Sequence, residues 1–197
     1  MSQYMNLIGG KSKKASLKKI NTKTKNKVLK KYALLLDKEQ NSILRANARD
    51  VKLALKKRLK SNLIDRLSID QKKLKSIKKS IDKITKLKDP IDNVLEKWSR
   101  PNGLKINRVS IPIGVIGAIY ESRPNVTSDI ASLCFKSGNP VILKGGSESI
   151  NTNKILAELF RKALKENKVN EDFIQFIDSC DRKMVDFMLS KMKDYID

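Results

Sequence analysis

The alternation of short apolar runs with turn residues between Arg108 and Asn153, RVSIPIGVIGAIYESRPNVTSDIASLCFKSGNPVILKGGSESINTN, most constrains the fold of this chain. Ile113 to Tyr120 is a nearly unbroken apolar run containing Gly114 and Gly117, the pattern of a strand buried on both faces. The turn Glu121 to Pro124 follows, then a helix from about Val126 to Ser137, a break at Gly138-Asn139-Pro140 and a short strand, Val141 to Leu143. The loop Lys144 to Ser147 leads into a helix from about Ser149 to Glu166. Phe173 to Ile177 reads as another strand, Arg182 to Lys191 as another helix, and Tyr195-Ile196 as the opening of a further strand. Strands alternating with helices of this length predict an α/β fold with a doubly wound, mostly parallel sheet.

The first ninety residues read differently. Val28, Leu29, Tyr32, Ala33, Leu35 and Leu36 form one apolar stripe at helical spacing; Ile43, Leu44, Val51 and Leu55 form a second. Leu74, Ile77, Ile81, Ile84 and Leu87 form a third, which core packing explains better than a coiled-coil seam of about two heptads. Asp89-Pro90 ends that helix, and Trp98, Pro101, Asn102 and Gly103 fall in a loop. The expected organisation is a helical segment over 1–90 packing on the sheet and a partial dinucleotide-binding α/β segment over 91–197.

Ligands of such sheets bind beyond the carboxyl ends of the strands. Two polar clusters lie there. In Glu121-Ser122-Arg123-Pro124-Asn125 the proline fixes the turn, and Asn125 stands at the start of a helix with an amide free to donate; the competing reading is a plain helix cap. In Lys144-Gly145-Gly146-Ser147 a cation precedes two residues without side chains, and the next helix adds a positive dipole end, which suits an anion; the competing reading is a plain turn. The order is neither that of a P-loop nor of a GxGxxG fingerprint.

Composition excludes several chemistries. Histidine is absent, which removes the usual general base, the usual zinc ligand and the Ser-His and Cys-His pairs. No carboxylate cluster nominates a metal site, so none is expected. There is no apolar run of membrane-spanning length, and the start has no basic region, apolar stretch and cleavage site, so a cytoplasmic protein without membrane association is expected. Cys134 sits on an apolar helical stripe and Cys180 between acidic neighbours; neither is expected to act as a nucleophile.

The net charge of +22 is concentrated in residues 1–100, where 29 Lys and Arg face 9 Asp and Glu, a net of +20. Lys outnumbers Arg 34 to 9 and aromatics make up 5% of the chain, whereas nucleic-acid readout leans on Arg forks and stacking rings. A solvated lysine surface is the preferred reading, with no specific nucleic-acid partner.

The string VIGAIYESRPNVTSDIASLCFKSGNPVILKGGSE closely resembles the γ-glutamyl phosphate reductase family of the aldehyde dehydrogenase superfamily, and the similarity runs from KNKVLKKYALLLDKEQNSILRANARDV through MKDYID. The resemblance implies an aldehyde-dehydrogenase-like fold with a Rossmann-like sheet, here truncated to the amino-terminal half. It further implies NADPH-dependent reduction of L-glutamate 5-phosphate to L-glutamate 5-semialdehyde in proline biosynthesis. It assigns Asn125 as an oxyanion donor, Lys144 with Gly145, Gly146 and Ser147 to the cofactor NADP(H), and Arg123 to the substrate. Ser147 stands where many NAD-dependent relatives carry a Glu, which favours a 2′-phosphate, although Glu148 beside it weakens that inference. The nucleophilic cysteine of the family lies in a Cys-Asn-Thr string that this chain lacks, so the chain is expected to be inactive alone. A homo-oligomer is the implied assembly. The alternative is a non-catalytic dinucleotide-binding or basic nucleic-acid-associated module.

Overall fold

The computed structural model describes residues 1–197. Five helices come first: α1 (Ser2–Ser16), α2 (Thr22–Lys38), α3 (Gln40–Lys56), α4 (Ser61–Leu67) and α5 (Gln71–Lys86). An antiparallel hairpin, β1 (Val94–Ser99) and β2 (Lys105–Val109), precedes the alternating part: β3 (Ile116–Ile119), α6 (Pro124–Lys136), β4 (Val141–Lys144), α7 (Ile150–Glu166), β5 (Ile174–Phe176) and α8 (Lys183–Lys191). Local chemistry sets several starts. Asn21 and Asp70 cap α2 and α5 by accepting from Thr24 N (2.8 Å) and Lys73 N (2.6 Å), and Pro124 opens α6 where no amide hydrogen is needed.

Strands β3, β4 and β5 form a parallel sheet in that order. Because side chains alternate along a strand, Val141 and Leu143 point to one face and Ile142 to the other. The first face meets α6 and α7, on which α2, α3 and α5 are stacked. Their aromatic centre is Tyr32, Phe135, Phe160 and Phe173, all fully buried with ring centroids 4.5–5.7 Å apart. Burying each such ring contributes about 1.5–3 kcal/mol, so this layer dominates the stability. The second face meets α1 and α8 through Met5, Ile8, Met188 and Met192. The sheet is therefore wound on both sides.

Four expectations change. Trp98 lies in β1, paired with Ile106 of β2, and not in a loop; both hairpin faces are largely exposed, so no apolar alternation announced it. The run from Ile113 is not a doubly buried strand. Only Ile116–Ile119 pairs, at the sheet edge, and Ile111 and Ile113 are 75% and 71% exposed. Tyr195-Ile196 forms a turn after α8 instead of a strand, with Tyr195 packed on Gly9 of α1. In α3 the inward stripe is Ile43, Asn47, Asp50 and Ala54, while Leu55 faces solvent.

Two buried cations mark the junction between the helical segment and the hairpin. Lys25, 2% exposed, reaches both oxygens of Asp89 at 3.0 Å, and Lys136 donates to Asn26 Oδ1 (2.7 Å) and Thr85 O (3.0 Å). Burial pushes the Lys136 ammonium below the ordinary lysine range, and the Lys25 charge acts with it against the attraction of Asp89.

Candidate functional site

The register Ile119↔Lys144 between β3 and β4 brings the two following segments out of the sheet side by side. They are tied by one carboxylate. Glu148 Oε2 accepts from Ser122 Oγ, and Glu148 Oε1 accepts from Ser147 Oγ at 3.0 Å. Burial pushes the Glu148 carboxyl up, but those hydrogen bonds and the Lys57 charge outweigh it and hold the pKa below the usual carboxylate range.

The glycine pair is required by this packing. A Cβ on Gly145 would overlap Asn153 Nδ2 and lie 3.0 Å from the Tyr120 ring; one on Gly146 would meet Ser122, whose backbone nitrogen is 3.0 Å away. Neither glycine has the positive φ that would exclude other residues. The loop is thus wedged between β3's exit and α7, and only hydrogen at both Cα positions lets the two segments close.

The amino terminus of α7 differs from the sequence expectation of a free dipole end for an anion. Asp50 of α3, 1% exposed, accepts from Asn151 N (3.3 Å) and Nδ2 (2.7 Å) and from Thr152 N (2.8 Å) and Oγ1 (2.6 Å). A protein carboxylate already occupies the first-turn amides, so a ligand anion has to be held by other donors. Asn47, one turn away, donates to Leu67 O (2.9 Å) and Thr152 Oγ1 (3.2 Å) and accepts from Ile69 N (2.7 Å), fixing α4 against the same helix. These two polar residues on the inward side of α3 were missed in the apolar stripe; their positions, i+4 and i+7 from Ile43, were the available signal.

Lys144 is 5% exposed and donates to Gly145 O at 2.9 Å. Burial pushes its ammonium below the ordinary lysine value, with Cys180 and Glu148 acting in the opposite sense. Ser147 lies in a single turn of 3-10 helix before α7. Beside Gly146 and Glu148 opens a cleft of about 330 Å³ whose apolar wall is Leu59, Leu63 and Leu67.

Arg123 and Asn125 lie on the other side. Arg123 is the residue capping α6, with no side-chain cap bond, and Asn125 is already inside the helix, so the cap reading of Asn125 does not hold. The exposed Asn125 amide donates only a long 3.3 Å bond, to Asp129 Oδ2 one turn on. It faces a groove of about 490 Å³ between α6 and α5. Arg66 and Arg123 border both openings, each about 4 Å from Glu121 (3.9 and 4.0 Å). The structure thus brings the sequence-predicted residues to one end of the sheet: Arg123 lines both depressions, Asn125 the first and Gly146 the second, while Lys144, Gly145 and Ser147 line neither.

The two cysteines differ in their surroundings. Cys134 is buried, and its thiol is pushed up to about 11 by that burial; Cys180 is exposed in the segment after β5. No cluster of metal-ligating side chains is present, and no helix is long and apolar enough to cross a membrane.

No family model matches the chain. Individual proteins do. A γ-glutamyl phosphate reductase of Sulfurihydrogenibium sp. is 42% identical over 197 residues, which is 99% of this chain and 44% of that protein. The crystal structure of γ-glutamyl phosphate reductase from Thermotoga maritima superposes with a TM-score of 0.94 at 40% identity, covering 98% of this chain and 47% of that one. By sequence and by fold, the chain is a homologue of the γ-glutamyl phosphate reductases. The Saccharomyces cerevisiae enzyme agrees, with a TM-score of 0.89 at 31% identity. A probable aldehyde dehydrogenase from Listeria monocytogenes, 11% identical with a TM-score of 0.69, shares the fold. The chain spans less than half the length of the γ-glutamyl phosphate reductases it matches, and over that span it carries their α/β architecture.

Proposed function

We propose that this chain is the cofactor-binding portion of a γ-glutamyl phosphate reductase, which reduces L-glutamate 5-phosphate to L-glutamate 5-semialdehyde with NADPH. The observation that carries the reading is the side-by-side exit of the Asn125 and Lys144 segments from β3 and β4, in a chain 42% identical to proteins of that name. The residues fit a dinucleotide in two respects: an apolar wall of leucines beside Gly146 suits a base, and Lys144 offers a cation without a carboxylate ion pair. Since Asp50 fills the α7 terminus, Lys144 and Ser147 rather than that helix would hold the ribose and its phosphate. The bound cofactor supplies a hydride; Asn125 donates its amide to the oxygen that gains charge as the carbonyl is attacked. Arg123, at the rim, contributes to attracting the acidic substrate. The cysteine nucleophile lies outside these residues, and the isolated chain is proposed to be inactive.

Titration of the full chain with NADPH and NADH, followed by nicotinamide fluorescence, tests the cofactor assignment. NADPH is expected to bind more tightly, and Lys144→Ala to weaken both by about tenfold or more, one charge-assisted hydrogen bond being worth about 1.5–3 kcal/mol. No binding of either dinucleotide overturns the reading. Tighter binding of NADH reverses the cofactor choice and makes the Glu148 carboxylate, not the Ser147 hydroxyl, the group that selects.

A further inference from the structure

The excess positive charge of this chain is local, and the fold gathers part of it on one face. Residues 1–100 carry +20 of the net +22, so a lysine bias common to the whole chain does not account for it. α5 holds seven lysines and one carboxylate, Asp82, which forms no ion pair. Lys73 is bound to the backbone oxygens of Asp65 and Ser68, and Lys78 to Asp37. The other five, Lys72, Lys75, Lys79, Lys83 and Lys86, are exposed and without ion-pair partners. They recur at steps of three and four residues, which makes one stripe about 21 Å long. α2 lies antiparallel beside α5: Thr22 and Lys25 near its start reach Asp89 just past the end of α5, and Asp37 near its end meets Lys78. Both helices turn their apolar sides into the same core, so the exposed Lys23, Lys27 and Lys30 of α2 form a second row beside the first. Ammonium groups three and four residues apart repel one another and destabilise a helix. α7, of similar length, avoids this by interleaving Glu158 and Glu166 with Lys154, Lys162 and Lys165. Solubility alone would be served by the α7 pattern.

We infer that the shared outer face of α5 and α2 docks on the phosphate backbone of duplex DNA without reading its sequence. Composition alone favours a solvated lysine surface; the fold adds the alignment of two unpaired rows. Duplex DNA presents one negative charge per about 1.7 Å, so a stripe of about 21 Å faces about a dozen phosphates. Packed helices stand about 8–10 Å apart. Rows at that separation fit the phosphates flanking the B-form major groove, about 12 Å wide, whereas the A-form major groove of RNA is deep and narrow. The face has no exposed aromatic ring on which an unpaired base could stack and no Arg fork for a base edge, which disfavours a single strand and sequence readout. A protein partner needs an apolar centre to its interface. Leu34 is the one large apolar side chain exposed on α2, and α5 exposes none.

The test titrates the full chain into a fluorescein-labelled DNA duplex of two helical turns, followed by fluorescence anisotropy over a series of salt concentrations. Two variants lose the same charge at different places: Lys75→Gln, Lys79→Gln and Lys83→Gln together on α5, and Lys11→Gln, Lys14→Gln and Lys18→Gln together at α1, all six lysines being exposed. Glutamine keeps the helix propensity, and circular dichroism melts on each sample are expected to show the α5 variant melting no lower, since it loses like-charge repulsion. Each phosphate contact contributes about 0.9 to the slope of log affinity against log salt. The α5 variant is expected to reduce that slope by about 3 and to weaken binding by about tenfold or more, and the α1 variant to leave the slope within about 0.5. Equal losses in the two variants assign the binding to net charge and overturn the proposal. So does tighter binding of the single strand, of an RNA duplex of the same sequence or of phosphatidylserine vesicles, each of which gives the face another partner. Absence of binding at low salt overturns it too, as does an affinity that changes when the duplex sequence is scrambled.

Discussion

Replacing Asp50 by alanine is expected to remove a large part of the protein's stability, although Asp50 lies outside both depressions. Its carboxylate accepts four hydrogen bonds from Asn151 and Thr152, and Thr152 is fully buried. Truncation strands the Thr152 amide and hydroxyl away from water, at about 1–3 kcal/mol each. It also removes an anion from the start of α7, worth about 0.3–2 kcal/mol. Relief of the desolvation of the Asp50 charge offsets part of this, leaving a net loss of about 3–4 kcal/mol. Against a typical total of about 5–15 kcal/mol, that is a large fraction. Asp50→Asn keeps the shape and one acceptor but turns an amide toward donors, and about 1–2 kcal/mol is expected. Urea unfolding followed by far-UV circular dichroism gives both numbers, and hydrogen exchange at the Thr152 amide reports the local opening. An Asp50→Ala variant within 1 kcal/mol of the unaltered chain, with the Thr152 amide still protected, would refute the reasoning.

Three further outcomes follow from the same geometry. Burial pushes the Asp89 carboxyl up, but hydrogen bonds from Lys25, Thr22 and the Ile91 amide hold it below its ordinary value. A lowered folded-state value means stability that is full above the unfolded carboxylate range and is lost as pH falls through the folded value, so Asp89→Asn should flatten the stability profile below about pH 4. Gly145→Ala should cost about 1–3 kcal/mol, read as a lowered Tm, because Asn153 and Tyr120 have to move; an unchanged Tm would show that the loop is not wedged. A thiol reagent should modify Cys180 quickly in the native chain and Cys134 only on unfolding, since one is exposed and the other buried with its thiol pushed up to about 11; equal rates would contradict that burial.

The sequence was most legible where burial imposes a period. The α2 stripe, the β4 run and the helices over 150–166 and 183–191 fall close to where the pattern put them, because each buries one face or both. The β1–β2 hairpin was illegible because neither face is covered, and the Ile113 run misled because an apolar run also describes an edge that the rest of this chain leaves bare. At the site, the turns after β3 and β4 announced Arg123, Asn125 and the Lys144–Ser147 loop. What they could not announce was partnership across the fold. Asp50 and Asn151 are 101 positions apart, and Ser122 and Glu148 are 26 apart. Only the folded chain shows that an internal carboxylate fills the helix terminus.

The contacts of α1 carry a consequence for the order of assembly. Lys13 donates to Asp194 O at 2.7 Å across 181 positions, and Tyr195 covers Gly9. The layer containing Met5 and Ile8 therefore joins segments of the chain that are far apart in sequence. Closing a loop of that length costs entropy that nearby contacts do not, and such pairings form late. The aromatic layer on the opposite face, built from α2 onward, is complete by Phe173. During synthesis, then, α1 is made well before the residues near 195 that cover it, and docks after the aromatic layer has its parts. Until residues near 195 appear, its apolar side stays without its final cover, and the emerging chain is open to association there.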